Sequence, residues 1–153
     1  MNKKLFLIII IILLITPGCK SSKKDNPTNN QNITNNIDNN EEINNMKLYI
    51  NEKEYIINLE NNETVKELLN QLPLELNMQE LNGNEKYTYL ESDLPTNASN
   101  PKHINTGDVM LYGNNCLVIF YKSFNTSYSY TKIGHIDNLP NLGKNDINIK
   151  LTR

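Results

Sequence analysis

Tyr112, Tyr121, Phe124, Tyr128 and Tyr130 crowd one short stretch, interleaved with Ser123, Thr126, Ser127, Ser129 and Thr131. A tyrosine offers a flat apolar face and a polar tip. Several together suit a cleft that takes a peptide or a small ligand, mostly apolar with a few placed polar groups. Glu85, Lys86 and Tyr87 follow the turn Asn82-Gly83-Asn84 and supply a polar rim for such a cleft. The candidate binding set is therefore Tyr112, Tyr121, Phe124, Ser127, Tyr128 and Tyr130, with Glu85 and Tyr87. Two competing readings stay open. Tyr128 and Tyr130 share one side of a strand by their spacing, so they either line a cleft or pack a barrel face. Residues 85–87 are either a rim or a solvated hairpin end.

Other chemistry finds little footing. His103 and His135 stand far apart in the chain, neither with a further ligand at zinc spacing, so no metal is expected. Asp108 follows Gly107 ahead of a strand and reads as a turn cap rather than a base. His135, in Ile133-Gly134-His135-Ile136, reads as a strand residue facing solvent. The nucleophile motif Gly-x-Ser-x-Gly is absent, as is a phosphate-binding glycine loop, and no cofactor is expected. Cys116 sits in an apolar run and reads as a small buried hydrophobe. No catalytic residue is assigned.

The elements that must position these side chains are mostly strands. Lys47–Ile50 and Tyr55–Leu59 flank Asn51-Glu52 as a hairpin. Asn62-Glu63-Thr64 opens a helix whose Val65, Leu68, Leu69 and Leu72 make one apolar face, and Pro73 closes it. Leu74, Leu76 and Met78 alternate as a half-buried strand, Glu85–Leu90 extends again, and Asp93–Pro101 is a loop. Val109–Tyr112 and Cys116–Tyr121 flank Gly113-Asn114-Asn115, the strongest hairpin signal. Tyr128–Ile136 and Ile147–Leu151 supply the last strands, with a short helical turn over Leu139–Leu142. The fold class is mainly β: a closed or nearly closed, largely antiparallel barrel with one amphipathic helix over an open end.

Ahead of this domain, placed at residues 46–153, the chain changes character. Lys3 and Lys4 precede an unbroken apolar run, Leu5–Ile15. That run is short of the roughly 20 residues a spanning helix needs, and it matches a secretory signal. Thr16-Pro17-Gly18-Cys19 resembles the lipobox of bacterial lipoproteins in its Gly-Cys pair and departs from it at Thr16 and Pro17. The resemblance implies a signal peptide over 1–18, cleavage before Cys19 and diacylglyceryl attached to its sulfur. Ordinary secretion or an uncleaved anchor, with Cys19 incidental, is the competing reading. Residues 19–45 read as a tether. From Lys20 to Asn45 the commonest residue is Asn and none is aromatic, so ordering this stretch has little apolar burial to offset its entropy. The implied location is the extracytoplasmic face of the cell membrane. Ten basic against thirteen acidic residues give residues 46–153 a net charge of −3 without a basic stripe, which argues against nucleic acid as a partner.

Three stretches together carry a further resemblance: Leu81-Asn82-Gly83-Asn84-Glu85-Lys86-Tyr87, Asn105-Thr106-Gly107-Asp108-Val109-Met110-Leu111-Tyr112-Gly113, and Thr126-Ser127-Tyr128-Ser129-Tyr130-Thr131. In this order they resemble a family of small bacterial cyclophilin-like proteins, over nearly all of residues 46–153. The resemblance implies a cyclophilin-like β-barrel and no assigned activity. Cyclophilin prolyl isomerases resemble one another in an Arg beside the prolyl amide and in Phe, Trp and His around the proline. Here the domain's one arginine is Arg153, Trp is absent, and its phenylalanines are Phe120 and Phe124. Lys86 and Lys122 could offer charge but not the planar guanidinium fork. The expectation is a non-catalytic peptide- or small-ligand-binding module on a membrane lipoprotein. The alternatives are a divergent prolyl isomerase or folding factor for exported proteins, and a purely structural envelope protein.

Overall fold

The computed structural model describes residues 44–153. The signal segment, Cys19 and nearly all of the expected tether lie outside the described residues.

Chain order gives β1 (Asn45–Ile50), β2 (Lys53–Leu59), α1 (Glu63–Asn70), β3 (Leu74–Leu81), β4 (Glu85–Tyr89), β5 (His103–Ile104), β6 (Asp108–Tyr112), β7 (Cys116–Phe120), β8 (Phe124–Asn125), β9 (Thr131–Ile136) and β10 (Ile147–Thr152). Eight strands close an antiparallel barrel in the order β1-β10-β3-β4-β7-β6-β9-β2, and β5 and β8 form a separate two-stranded ribbon. The expected closed barrel with a single helix is what the chain forms. β1 begins at Asn45, just ahead of the expected domain start.

Period-two alternation puts Leu48, Ile57, Met78, Leu111, Leu117, Ile119 and Ile133 into one interior cluster. The β1–β2 loop consists of Asn51 at φ 48° and Glu52 at φ 66°. Positive φ at both central positions matches the strand twist of a tight hairpin. Asn62 caps α1: its side-chain oxygen accepts from the Val65 amide at 2.9 Å, satisfying one of the free first-turn donors. Val65, Leu68 and Leu69 join the interior cluster at the end of the barrel where β2 stops and β3 starts.

Two glycines are fixed by close approach. A Cβ on Gly107, at φ 96°, would stand 2.2 Å from the Ile136 carbonyl oxygen. One on Gly134 would stand 2.4 Å from the Asn58 carbonyl oxygen. Gly134 lies on β9 beside the register shift between Val109 and Met110.

Two expectations are corrected here. Leu139–Leu142 is not helical: Pro140 disfavours a helical conformation at the preceding Leu139, and the Asn141 side chain accepts from the Gly143 amide at 2.9 Å. Tyr128 to Tyr130 precede β9 instead of belonging to it. Tyr130 joins only Ser99, in an isolated bridge closed by two backbone hydrogen bonds.

β6 and β7 are buried on both sides. Their inward residues join the interior. Their outward residues Met110, Cys116, Val118 and Phe120 form a second apolar cluster with Ile104 and Tyr130. That cluster, on the outside of the barrel wall, is the foundation of the candidate site.

Candidate functional site

β4, β7 and β6 lie side by side and carry the site on their outer faces. In register, Tyr87 stands beside Val118 and Val118 beside Met110; one step along, Tyr89, Cys116 and Tyr112 form the next row. The segment before β9 brings Tyr128 and Tyr130 over that row. The Tyr112 and Tyr128 rings meet edge to face, with centroids 6.0 Å apart and planes at 86°. Tyr130 lies 5.6 Å from Tyr112 on one side and 5.6 Å from Phe120, at 90°, on the other. Tyr87 and Tyr89 make a second right-angled pair, 6.0 Å apart at 86°. Offset and edge-to-face pairs of this kind contribute about 0.5–1.5 kcal/mol beyond their burial.

Between these rings lies a cleft of about 330 Å³. Cys116 and Val118 form its floor, Leu81, Asn82 and Glu85 close one side, and Tyr89 and Tyr128 stand at its mouth. They are 65% and 60% exposed, which leaves their faces free for a ligand. Tyr130 is almost fully buried and anchors the wall. A second concavity, of about 410 Å³, lies on the outer face of β1, β10 and β3. Four of its polar side chains are tied to one another: Asn77 to Asn148 at 3.0 Å, Lys150 to Glu75 at 3.0 Å. Tyr49 is the one aromatic residue in its lining, whereas five tyrosines gather in the other cleft.

Five of the eight expected binding residues line this cleft: Glu85, Tyr87, Tyr112, Tyr128 and Tyr130. Both open readings of the tyrosines hold in part, since Tyr130 packs the wall and Tyr128 faces the opening. The other three are placed elsewhere. Tyr121 follows β7 into the barrel interior, where its hydroxyl donates to Glu80 Oε1 at 3.2 Å. Phe124, on β8, stacks against Phe120 at 5.7 Å beneath the ribbon. The exposed Ser127 contributes its carbonyl oxygen to Asn100 Nδ2 at 2.8 Å and leaves the cleft untouched. Nearness in sequence grouped them with the cleft, but the turn after β7 sends them to three different faces. Tyr89, Leu81, Asn82, Cys116 and Val118 were missed. Period-two spacing from Tyr87 points to Tyr89, whereas the β7 residues become neighbours only through cross-strand register.

The electrostatics of the cleft centre on Glu85. Burial, followed by repulsion from Glu80, pushes its carboxyl above the usual carboxylate range. The ion pairs among the described residues join Lys66 to Glu63, Lys132 to Glu60, Lys150 to Glu75, and His135 to Asp108 and Asp137. None involves Glu85. Burial, then Glu85, pushes the Cys116 thiol up, so it stays neutral and apolar, as its surroundings in the sequence suggest.

Lys86 does not share the rim. It projects to the opposite side of β4 and is fully buried inside the barrel. Its Nζ donates to the carbonyl oxygens of Gly143 and Asn145 at 2.8 and 2.7 Å and lies 5.2 Å from the centre of the Tyr121 ring. Lys122 stands over the same ring at 5.8 Å. Arg153 donates to the Leu69 carbonyl oxygen at 3.1 Å, at the end of α1. The cleft lining contains neither lysine nor arginine. Asp108 does cap a turn, accepting from the Asn105 amide at 2.8 Å. It also holds His135, whose Nδ1 lies 3.1 Å from Asp108 Oδ1, so His135 is tied to the barrel wall rather than simply facing solvent.

The model of the Cyclophilin-like family matches residues 48–152, the barrel almost from end to end. No curated protein and no solved structure matches the chain.

Proposed function

We propose a function from the premise that this chain belongs to the cyclophilin-like family: it is a lipid-anchored extracytoplasmic protein whose barrel binds a peptide or small ligand without transforming it. The observation that carries the binding role is the tyrosine-lined cleft on the outer face of β4, β7 and β6. A shallow opening between rigid aromatic faces, backed by a packed apolar floor, is a ready-made receptor whose side chains lose little freedom on binding. A purely structural role is less well supported, because Tyr89, Tyr112 and Tyr128 are exposed.

The isomerase alternative needs a fixed cation beside a prolyl amide. Arg153 is committed to α1 and Lys86 to the barrel interior, and no other observation favours that chemistry. The anchoring half of the proposal rests on Leu5–Ile15 and Gly18-Cys19. Two acyl chains on Cys19 suffice for stable attachment, each buried CH₂ contributing about 0.8 kcal/mol.

The test of the binding role is titration of the full chain with a peptide library, read by calorimetry, with Tyr128→Ala and Tyr112→Ala as site variants. Binding that falls about tenfold in either variant supports the cleft; absence of any ligand, or affinity indifferent to both variants, sinks it. For anchoring, the chain is expected to incorporate labelled fatty acid in the cell and Cys19→Ala to lose that label. A label absent from the native chain, or retained in Cys19→Ala, would remove the lipid on Cys19 from the account.

A further inference from the structure

We infer that the cleft receives an organic cation, the guanidinium or ammonium group of an Arg or Lys side chain in a peptide, held between tyrosine faces and the Glu85 carboxylate. The inference rests on the binding role proposed above and names the class of ligand.

The first observation is the unpartnered charge. Glu85 lines the cleft and has neither an ion pair nor a side-chain hydrogen bond among the described residues. A neutral apolar ligand would strip water from that carboxylate and give nothing back, which is unfavourable. An anion would be repelled. A cation offsets the desolvation with a charge-assisted hydrogen bond and also neutralises the carboxylate, which a neutral donor cannot do. The second observation is the tyrosine geometry. Tyr112 with Tyr128, and Tyr87 with Tyr89, stand at right angles. Together with Tyr130 they gather five tyrosine rings around one cleft, and a cation is drawn to the face of a tyrosine ring. The third is the missing competitor, since among the described residues no lysine or arginine lines the cleft and Lys86 points into the barrel.

The occupant is a side chain of a longer chain because of size and opening. About 330 Å³ is at the small end for ligand pockets. The exposed Tyr89 and Tyr128 at its mouth leave room for the rest of a peptide to pass outward.

The groups facing Glu85 set its pH response. They are Glu80 from β3, Tyr87 on β4 itself, Cys116 and Tyr121 on and after β7, and Tyr130 ahead of β9. The one other carboxylate among them, Glu80, raises the Glu85 pKa. Binding of a permanent cation therefore weakens as acidification protonates Glu85.

The experiment uses the full chain and three probes: a capped Gly/Ala peptide with one central Arg, the same peptide with citrulline, and N-acetylarginine amide. Citrulline keeps the shape and removes the charge. The Arg peptide is expected to bind at least about tenfold tighter than the citrulline peptide. Glu85→Gln is expected to reduce that preference to about threefold or less, the part owed to the ring faces, and Tyr128→Ala to weaken the Arg peptide. A citrulline peptide that binds as well as the Arg peptide, or a preference undiminished in Glu85→Gln, overturns the inference. Equal binding of both peptides that is lost in Tyr128→Ala leaves the binding role standing and removes only the cation. Binding of neither peptide removes both. N-acetylarginine amide bound more tightly than the peptide would overturn the peptide as the source of the cation.

Discussion

Glu85 and Lys86 are consecutive residues on one strand, and the chain treats their charges in opposite ways. Lys86 enters the barrel, loses all contact with water and is given two carbonyl oxygens, with a ring face beside it. Burial lowers its pKa while Glu80 and Asp146 oppose the shift. Glu85 faces outward into an aromatic cleft and has no ion pair among the described residues. The fold satisfies one charge inside itself and leaves the other open. A charge satisfied by its own chain is part of the architecture, and a charge left unsatisfied in a cleft points to a ligand.

The largest expected effect breaks the interior half of this contrast. Lys86→Ala removes the donor for the Gly143 and Asn145 carbonyls and opens a cavity, and should cost about 3–5 kcal/mol in chemical denaturation. A loss under about 1 kcal/mol would mean that water replaces the ammonium freely. Next comes the outer half. Tyr128→Ala should reduce binding about tenfold while changing stability by less than about 1 kcal/mol, because the ring is largely exposed. A large loss of stability would make Tyr128 a packing residue.

Glu85→Gln sharpens the contrast by pH. The folded-state pKa of Glu85 is raised, so in the window between the ordinary carboxylate value and the raised one the native state binds more protons than the unfolded chain. The stability associated with its protonated form is therefore present at low pH and lost as pH rises through the raised value. The melting temperature of Glu85→Gln should thus exceed that of the native chain by a margin that grows from the acid end toward neutrality. A margin independent of pH would show that Glu85 is not desolvated. The smallest effect is a control outside both regions. Glu52→Gly relieves a non-glycine residue at φ 66° and should stabilise the hairpin by about 0.5–1 kcal/mol.

The barrel was legible because its signals are local. Alternation in β1 and β3, the Asn51-Glu52 loop, the Asn62 cap and the β6–β7 hairpin are each written within a short stretch of chain. The cleft was legible only by composition. A tyrosine-rich stretch was visible, but Tyr121 and Tyr130 look alike in sequence, and only the turn after β7 sends one inside and the other outside. The burial of Lys86 was not legible at all. Its partners, the carbonyls of Gly143 and Asn145, lie 57 and 59 residues away in an irregular segment. The mistaken helical turn at Leu139–Leu142 has a local cause instead, since the segment takes its conformation from Pro140 and the Asn141 side chain.

The closure of the barrel has a consequence for how any bound chain is read. β7, beneath the cleft, is paired with β4 on one side and β6 on the other over Cys116–Ile119, so the cleft floor offers an incoming peptide no free row of amides and carbonyls to copy. A visitor cannot be held there by the backbone common to every sequence. It must be identified by what projects from it, one side chain at a time, and a receptor of this kind discriminates among sequences while gripping each of them lightly.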